Sequence, residues 1–248
     1  GHLAFVQEFY PGVADAWRVA LTAASAGVDF TDRAHALGVA TAQLHRLLAE
    51  RFDSSPSTAE ARTDVVTRMR QRARDACTEV PSLAGFAAAA DERLAGALTL
   101  PWPPLQRIHG DYHLGQVLDV PGRGWVILDF EGEPLRPLVE RVRPDLPARD
   151  VAGMLRSFDY VAGSARLSQP DADISAVTGW TQNARAAFVA GYETVAGRFD
   201  EGQAEMVAVL EVDKALYEAV YESRNRPQWS DIPLRAIRSI LAENKGEA

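Results

Sequence analysis

Apolar residues recur at helical spacing along most of the chain, and one short stretch in the middle breaks the pattern. Val13 to Ala26 puts Trp17, Ala20 and Leu21 on one face, which predicts a helix, with Trp17 read as core rather than ligand. Thr31 or Asp32 suits the N-cap of the next helix. That helix runs to about Phe52 with Leu37, Ala40, Thr41, Leu44, Leu47 and Leu48 as its stripe. Asp53 to Thr58 is a polar break. Residues 59–80 predict a charged helix with Val65, Val66, Met69 and Ala73 inward. A further helix is expected from Pro81 to about Leu98, where Pro101-Trp102-Pro103-Pro104 stops it.

The texture then changes. Leu105 to His109 is strand-like, and Gln116–Val120 and Trp125–Phe130 flank Pro121-Gly122-Arg123-Gly124 as a β-hairpin. Residues 131–147, rich in Pro and Arg, read as an ordered loop. Helices resume at roughly 150–164, 171–198, 201–224 and 233–244. At the other end, residues 3–9 read as a short strand closed by the turn Tyr10-Pro11-Gly12. The expected class is mainly α with a small β-hairpin, an α+β chain.

Composition narrows the function. The 248 residues are 47% hydrophobic and 24% charged, enough for a sizeable core. The net charge of −8 argues against polyanion binding, so no nucleic-acid partner is expected. Only Lys214 and Lys245 are lysines; the other basic residues are arginines, suited to bidentate anion pairing. Cys77 alone builds neither a disulfide framework nor a thiolate metal site, and a cytoplasmic setting is the default. No run approaches the ~18 apolar residues of a membrane span, so no membrane partner is expected. Gly1-His2 looks like a residue of tag removal, and Leu3 begins in mid-pattern, which suggests a piece of a longer protein.

Polar residues cluster on the turns at the ends of the apolar strands, in His109-Gly110-Asp111 through Gln116 and in Asp129-Phe130-Glu131-Gly132-Glu133-Pro134. Phosphoryl transfer needs a group to orient the acceptor hydroxyl and oxygen ligands for magnesium. Asp111, on a tight turn, suits the first role. Asp129 and the amide oxygen of Gln116 suit the second, and Glu131 adds a carboxylate on the same side if the backbone stays extended. No nucleophile-base pair on a recognisable turn supports a hydrolase.

These motifs resemble the catalytic loop and metal-binding motif of protein-kinase-like small-molecule kinases, which include aminoglycoside and choline kinases. That superfamily usually has Asn where Gln116 stands. The stretches His109–Gln116, Asp129–Pro134, Pro147–Tyr160 and Tyr217–Trp229 look like actinobacterial maltokinases, which use ATP to phosphorylate the anomeric hydroxyl of maltose. The resemblance implies that residues 13–248 are a helical C-terminal lobe with its catalytic hairpin at 105–134, that residues 1–12 hold the tag residue and a hinge strand, and that the N-terminal lobe is absent. It implies Asp111 as base, Gln116, Asp129 and Glu131 as Mg²⁺ ligands, and Gln7, Glu8 and Phe9 as the adenine hinge. Asp150 is implied as a buried brace of the catalytic loop. His109 is read as a packed loop histidine, His113 as ambiguous, and His35 and His45 as structural or exposed. Trehalose synthase is an implied partner.

The resemblance also places acceptor recognition near the C-terminus. Tyr217 and Tyr221 share a helix face, as do Glu218 and Glu222. Tyr217, Glu218, Tyr221, Asn225 and Trp229 are the expected sugar contacts. No Gly-x-Gly-x-x-Gly and no upstream phosphate lysine occur, so the chain by itself is expected to show little kinase activity and to expose apolar surface near its start. Glucosamine and aminoglycosides remain alternative acceptors, the latter suited to Glu218 and Glu222. A non-catalytic kinase-like binding module is a third reading.

Overall fold

A computed structural model describes residues 8–133, 138–141, 143–168 and 174–243. The expected strand at 3–9 and hinge residue Gln7 fall wholly or partly outside them. Glu8 and Phe9 belong to no strand. Helix α1 (Ala16–Ala26) starts at Asp15, whose side chain accepts from Arg18 N at 2.8 Å, and ends at Gly27 with φ 64°. α2 (Thr31–Arg51) is not capped by Thr31 or Asp32; Asp29 instead accepts from Thr31 N at 3.0 Å. Its buried face is Ala34, Leu37, Gly38, Thr41, Ala42 and His45, whereas Leu47 of the expected stripe is exposed.

α3 (Ala59–Glu79), capped by Thr58, buries Val65, Val66, Met69 and Ala73 as their spacing predicts. The single helix expected from Pro81 is broken into 3₁₀ turns at 81–86 and 97–99 around α4 (Ala87–Gly96). Leu105 to His109 forms no strand, because its neighbours offer only single bridges, Ser55 to Leu105 and Gln106 to Asp145. β1 (Val117–Val120) and β2 (Gly124–Ile127) form the predicted hairpin, antiparallel, with Val117 opposite Ile127. The expected loop after it contains a short helix, α5 (Leu138–Arg141).

α6 (Ala148–Ser168) is buried on nearly every face, as a central helix must be. Around it stand α7 (Ile174–Ala196), α8 (Glu201–Asn225) with a capping box at Asp200 and Gln203, and α9 (Asp231–Glu243). No helix among the described residues is long and apolar enough to cross a membrane.

α2 and α7 approach closely through two glycines. A Cβ on Gly38 would lie 2.0 Å from the Phe188 carbonyl oxygen, and one on Gly191 would lie 2.0 Å from that of His35. Gly191→Ala therefore reverses the usual sign of a helical Gly→Ala change. Helix propensity favours alanine by about 1 kcal/mol, but the backbones must separate, and overpacking of this kind costs about 1–3 kcal/mol or more. We expect thermal denaturation to show a lower melting temperature. An unchanged or higher one would mean that the helices part freely.

Candidate active site

The hairpin register sets the site. Leu128 N donates to Gln116 O at 2.9 Å, so Gln116 at the foot of β1 faces the end of β2. Asp129 follows immediately, and the Gln116 amide donates to Asp129 Oδ2 at 3.2 Å. Asp129 is the only non-glycine among the described residues with positive φ, at 58°. An L-residue in that region costs about 1–2 kcal/mol relative to glycine, and aspartate tolerates it better than most because its short side chain can hydrogen-bond locally. Glu131 does not continue an extended backbone beside it. The chain turns here, and Glu131 N points at Asp129 Oδ1 at 3.4 Å.

The preceding loop is held from α6. Asp150, 1% exposed, accepts from His109 N at 2.8 Å and Gly110 N at 2.9 Å. A third contact, 3.0 Å, comes from His45 Nε2 on α2, whose Nδ1 meets Tyr192 OH of α7 at 2.9 Å. Burial works against the Asp150 charge, but His45 and the loop amides outweigh it and hold its carboxyl below the usual range. His45 is thus a buried brace. His109 Nε2 donates to the Leu128 carbonyl at 2.7 Å, which leaves Nδ1 to accept from Asp111 N at 3.3 Å. With both nitrogens engaged and no exposure, His109 is a packed loop residue. His113 Nδ1 accepts from Gly115 N at 3.1 Å and caps the 3₁₀ turn 114–116; burial lowers its pKa.

Asp111 stands on this braced turn, next to Gly110 at φ 88°. Its Oδ1 lies 3.4 Å from the Lys214 ammonium, which is also paired with the buried Glu133. Reasoning from sequence kept Lys214 away from the phosphate chemistry and left Glu133 without a role. The signal that could have found Lys214 is its spacing on α8, where it shares a face with Tyr217, Glu218 and Tyr221. Its Nζ is 5.0 Å from the Tyr217 ring centre.

The expected sugar residues divide. Tyr217 and Trp229 are half-buried, and Tyr221 and Asn225 are exposed. Asn225 Nδ2 donates to Tyr221 O at 2.8 Å. Trp229 stacks on Tyr160 at 6.1 Å, and Trp17 sits 6.5 Å away. Arg226 lies over both Trp229 and Tyr221 and clamps the buried Glu222 at 2.9 Å through Nε. Glu218 is buried, and the fully buried Arg156 grips its Oε2 at 3.0 and 2.8 Å. Both α8 glutamates proposed for a cationic acceptor are therefore already matched by arginines. Of the expected hinge residues, Glu8 has its carboxyl held below the usual range by Tyr10 and Arg123, and Phe9 is 83% exposed. A cleft of about 620 Å³ is walled by Arg156, Arg166, Arg185, Glu211 and Asp231; it contains neither Asp111 nor the Gln116–Asp129 pair.

Among the described residues no cluster of three or more His, Cys, Asp or Glu side chains could hold a metal by itself. Magnesium does not need one. It binds one or two carboxylates and completes its shell with phosphate oxygens and water. Gln116 and Asp129, adjacent and all-oxygen in their acceptors, fit that pattern.

The model of the phosphotransferase enzyme family (APH) matches residues 25–207, which include the loop, the hairpin and Asp150. The chain belongs to the phosphotransferase enzyme family. The chain is 30% identical over 256 residues to a glucosamine kinase of Streptacidiphilus jiangxiensis, covering 97% of this chain and 58% of that protein. It is 30% identical over 254 residues to a glucosamine kinase of Mycolicibacterium smegmatis, covering 96% of this chain and 62% of that one. Its fold is similar to a glucosamine kinase solved with glucosamine, ADP and inorganic phosphate, with a TM-score of 0.83 at 28% identity over 94% of this chain and 59% of the other. A second glucosamine kinase structure, crystal form B, gives a TM-score of 0.85 at 29% identity over 95% and 60%. The chain spans about three fifths of the length of the curated relatives it matches.

Proposed function

We propose that this phosphotransferase chain is the catalytic and acceptor-binding part of an ATP-dependent sugar kinase whose acceptor is an amino sugar of the glucosamine type. The observations that carry the reading are the braced turn bearing Asp111 and the Gln116–Asp129 pair, on a chain similar to glucosamine kinases over nearly its whole length. Asp111 accepts the proton of the acceptor hydroxyl as the phosphoryl group transfers. Gln116 and Asp129 would hold magnesium, and Glu131, two residues further on, is a further oxygen donor to test. The metal, when bound, neutralises charge on the phosphates. Asp150 keeps the loop in place through the two amides it binds.

The wall of Tyr217, Tyr221, Asn225 and Trp229 faces the acceptor, and the Arg226–Glu222 pair stiffens its end. Glu218 supports this wall from behind through Arg156. Maltose, suggested by motif resemblance, is the second acceptor to test. The similarity to glucosamine kinases favours the amino sugar.

The test is turnover of Mg-ATP by the full-length protein with glucosamine, maltose and an aminoglycoside, read as ADP release and sugar phosphate formed. We expect glucosamine to give the highest kcat/KM, by about tenfold or more, the scale of one or two polar contacts. Higher kcat/KM with maltose would return the assignment to the maltokinases. Turnover of none would remove the kinase reading.

Within that assay, Trp229→Ala should raise the sugar KM about tenfold with kcat nearly unchanged, the signature of a lost binding contact. Unchanged sugar KM in both Trp229→Ala and Tyr221→Ala would place the acceptor elsewhere.

A further inference from the structure

We propose that Lys214 is a positioning residue for the base, holding one oxygen of Asp111 so that the other faces the acceptor hydroxyl. The proposal rests on the reading of Asp111 as base.

Three elements meet at the Lys214 ammonium. Asp111 comes from the loop before β1, Glu133 from the turn after β2, and Lys214 from α8. The two turns touch: a Cβ on Gly110 would lie 3.5 Å from Gly132 Cα. Lys214 therefore closes a gap between segments already in contact. It also ties them to Tyr217, one turn further along α8.

The pairing is unequal. Lys214 makes its close contact with Glu133, whose side chain is 2% exposed, and stands 3.4 Å from Asp111 Oδ1. A buried ammonium is costly unless it is matched, and Glu133 supplies the match. Burial alone would lower the pKa of Lys214, but Glu133 and Asp111 outweigh it and keep the ammonium charged. At 3.4 Å the Asp111 contact is long for a charged hydrogen bond, typically about 2.7–2.9 Å. Such a contact orients a carboxylate without a tight ion pair. Among the described residues the structure gives Asp111 Oδ2 no side-chain partner, so the oxygen away from the ammonium is the one left for the proton.

Lys214 also differs from the arginines that serve the other long-range pairs between a basic aliphatic side chain and a carboxylate described here. A compact point charge sits between two carboxylates more closely than a planar fork, which explains why arginine is expected to restore only part of the function.

The experiment uses the full-length protein with Mg-ATP and whichever sugar of the screen it turns over. It compares wild type, Asp111→Asn, Lys214→Met, Lys214→Arg and Glu133→Gln. Lys214→Met should lower kcat by about 30–100-fold, the scale of a misplaced catalytic group, with sugar and ATP KM within about threefold. Lys214→Arg should recover about tenfold of that loss, because charge and reach are kept. Glu133→Gln, which leaves the ammonium without its tight partner, should lower kcat about fivefold or more.

Lys214→Met with wild-type kcat overturns the proposal, as does a change confined to KM or an arginine variant no better than methionine. If thermal melting shows that Lys214→Met does not fold, an unchanged kcat in Glu133→Gln overturns it instead. Asp111→Asn separates the two readings. Wild-type activity there removes the base assignment and this proposal with it, whereas an inactive Asp111→Asn beside a normal Lys214→Met removes only the role of Lys214.

Discussion

If Asp111 is the base proposed here, Asp111→Asn in the full-length protein should lower kcat by about 10²–10⁴-fold, the range of a general base, with melting temperature and sugar KM near wild type. The substitution keeps shape and removes only the capacity to take a proton. The loop does not depend on that carboxylate, because its amides are held by Asp150 and its backbone by His109. Lys214 keeps its contact with Glu133, so no buried cation is left unmatched. Steady-state kinetics at saturating Mg-ATP read the effect directly. A loss smaller than tenfold would move the base to another residue.

Asp150→Ala gives the largest expected loss of stability. The side chain is buried and satisfies two loop amides and the His45 ring. Its removal leaves those groups without an acceptor, at about 1–3 kcal/mol each before relaxation. We expect urea denaturation to lose about 3–5 kcal/mol, comparable to breaking a buried charged pair, together with most activity. Asp150→Asn should lose less, since one acceptor oxygen remains.

The carboxylate also sets a pH dependence. Its folded pKa lies below the unfolded value of about 3.9. Its stabilisation is therefore complete above that value and disappears as pH falls through the lower, folded one. Between neutrality and pH values below about 4, the wild-type protein should lose stability that Asp150→Asn lacks at the outset. Parallel acid titrations of the two would contradict this.

Much of the architecture follows from local chemistry. Val65, Val66, Met69 and Ala73 recur at helical spacing and are buried, and Pro121 to Gly124 turns the hairpin as such residues do. The base loop and Asp129 stand out because polar residues interrupt apolar strands. What escaped was settled by contacts distant in sequence. Lys214 meets Asp111 across 103 positions, and His45 meets Asp150 across 105. Neither pairing has a local signature. Leu105 to His109 has strand composition but no strand to pair with. Thr31 yielded its expected cap role to Asp29, two residues earlier, because the chain turns into α2 sooner. Glu218 is met by Arg156, 62 positions away, whereas Glu222 is met by Arg226 only four residues on, a pairing that helical spacing does signal.

The crossing of α2 and α7 carries a genetic consequence. Gly38 and Gly191 have no functional group and lie outside the loop, yet α2 carries His45 and α7 carries Tyr192, the two residues behind Asp150. Parting these helices slackens the loop that carries Asp111 from behind. Alleles at either glycine should therefore behave as conditional mutants, active at low growth temperature and inactive when warmed. Second-site revertants should arise by trimming the side chains of the facing helix, not by changes at the reaction centre.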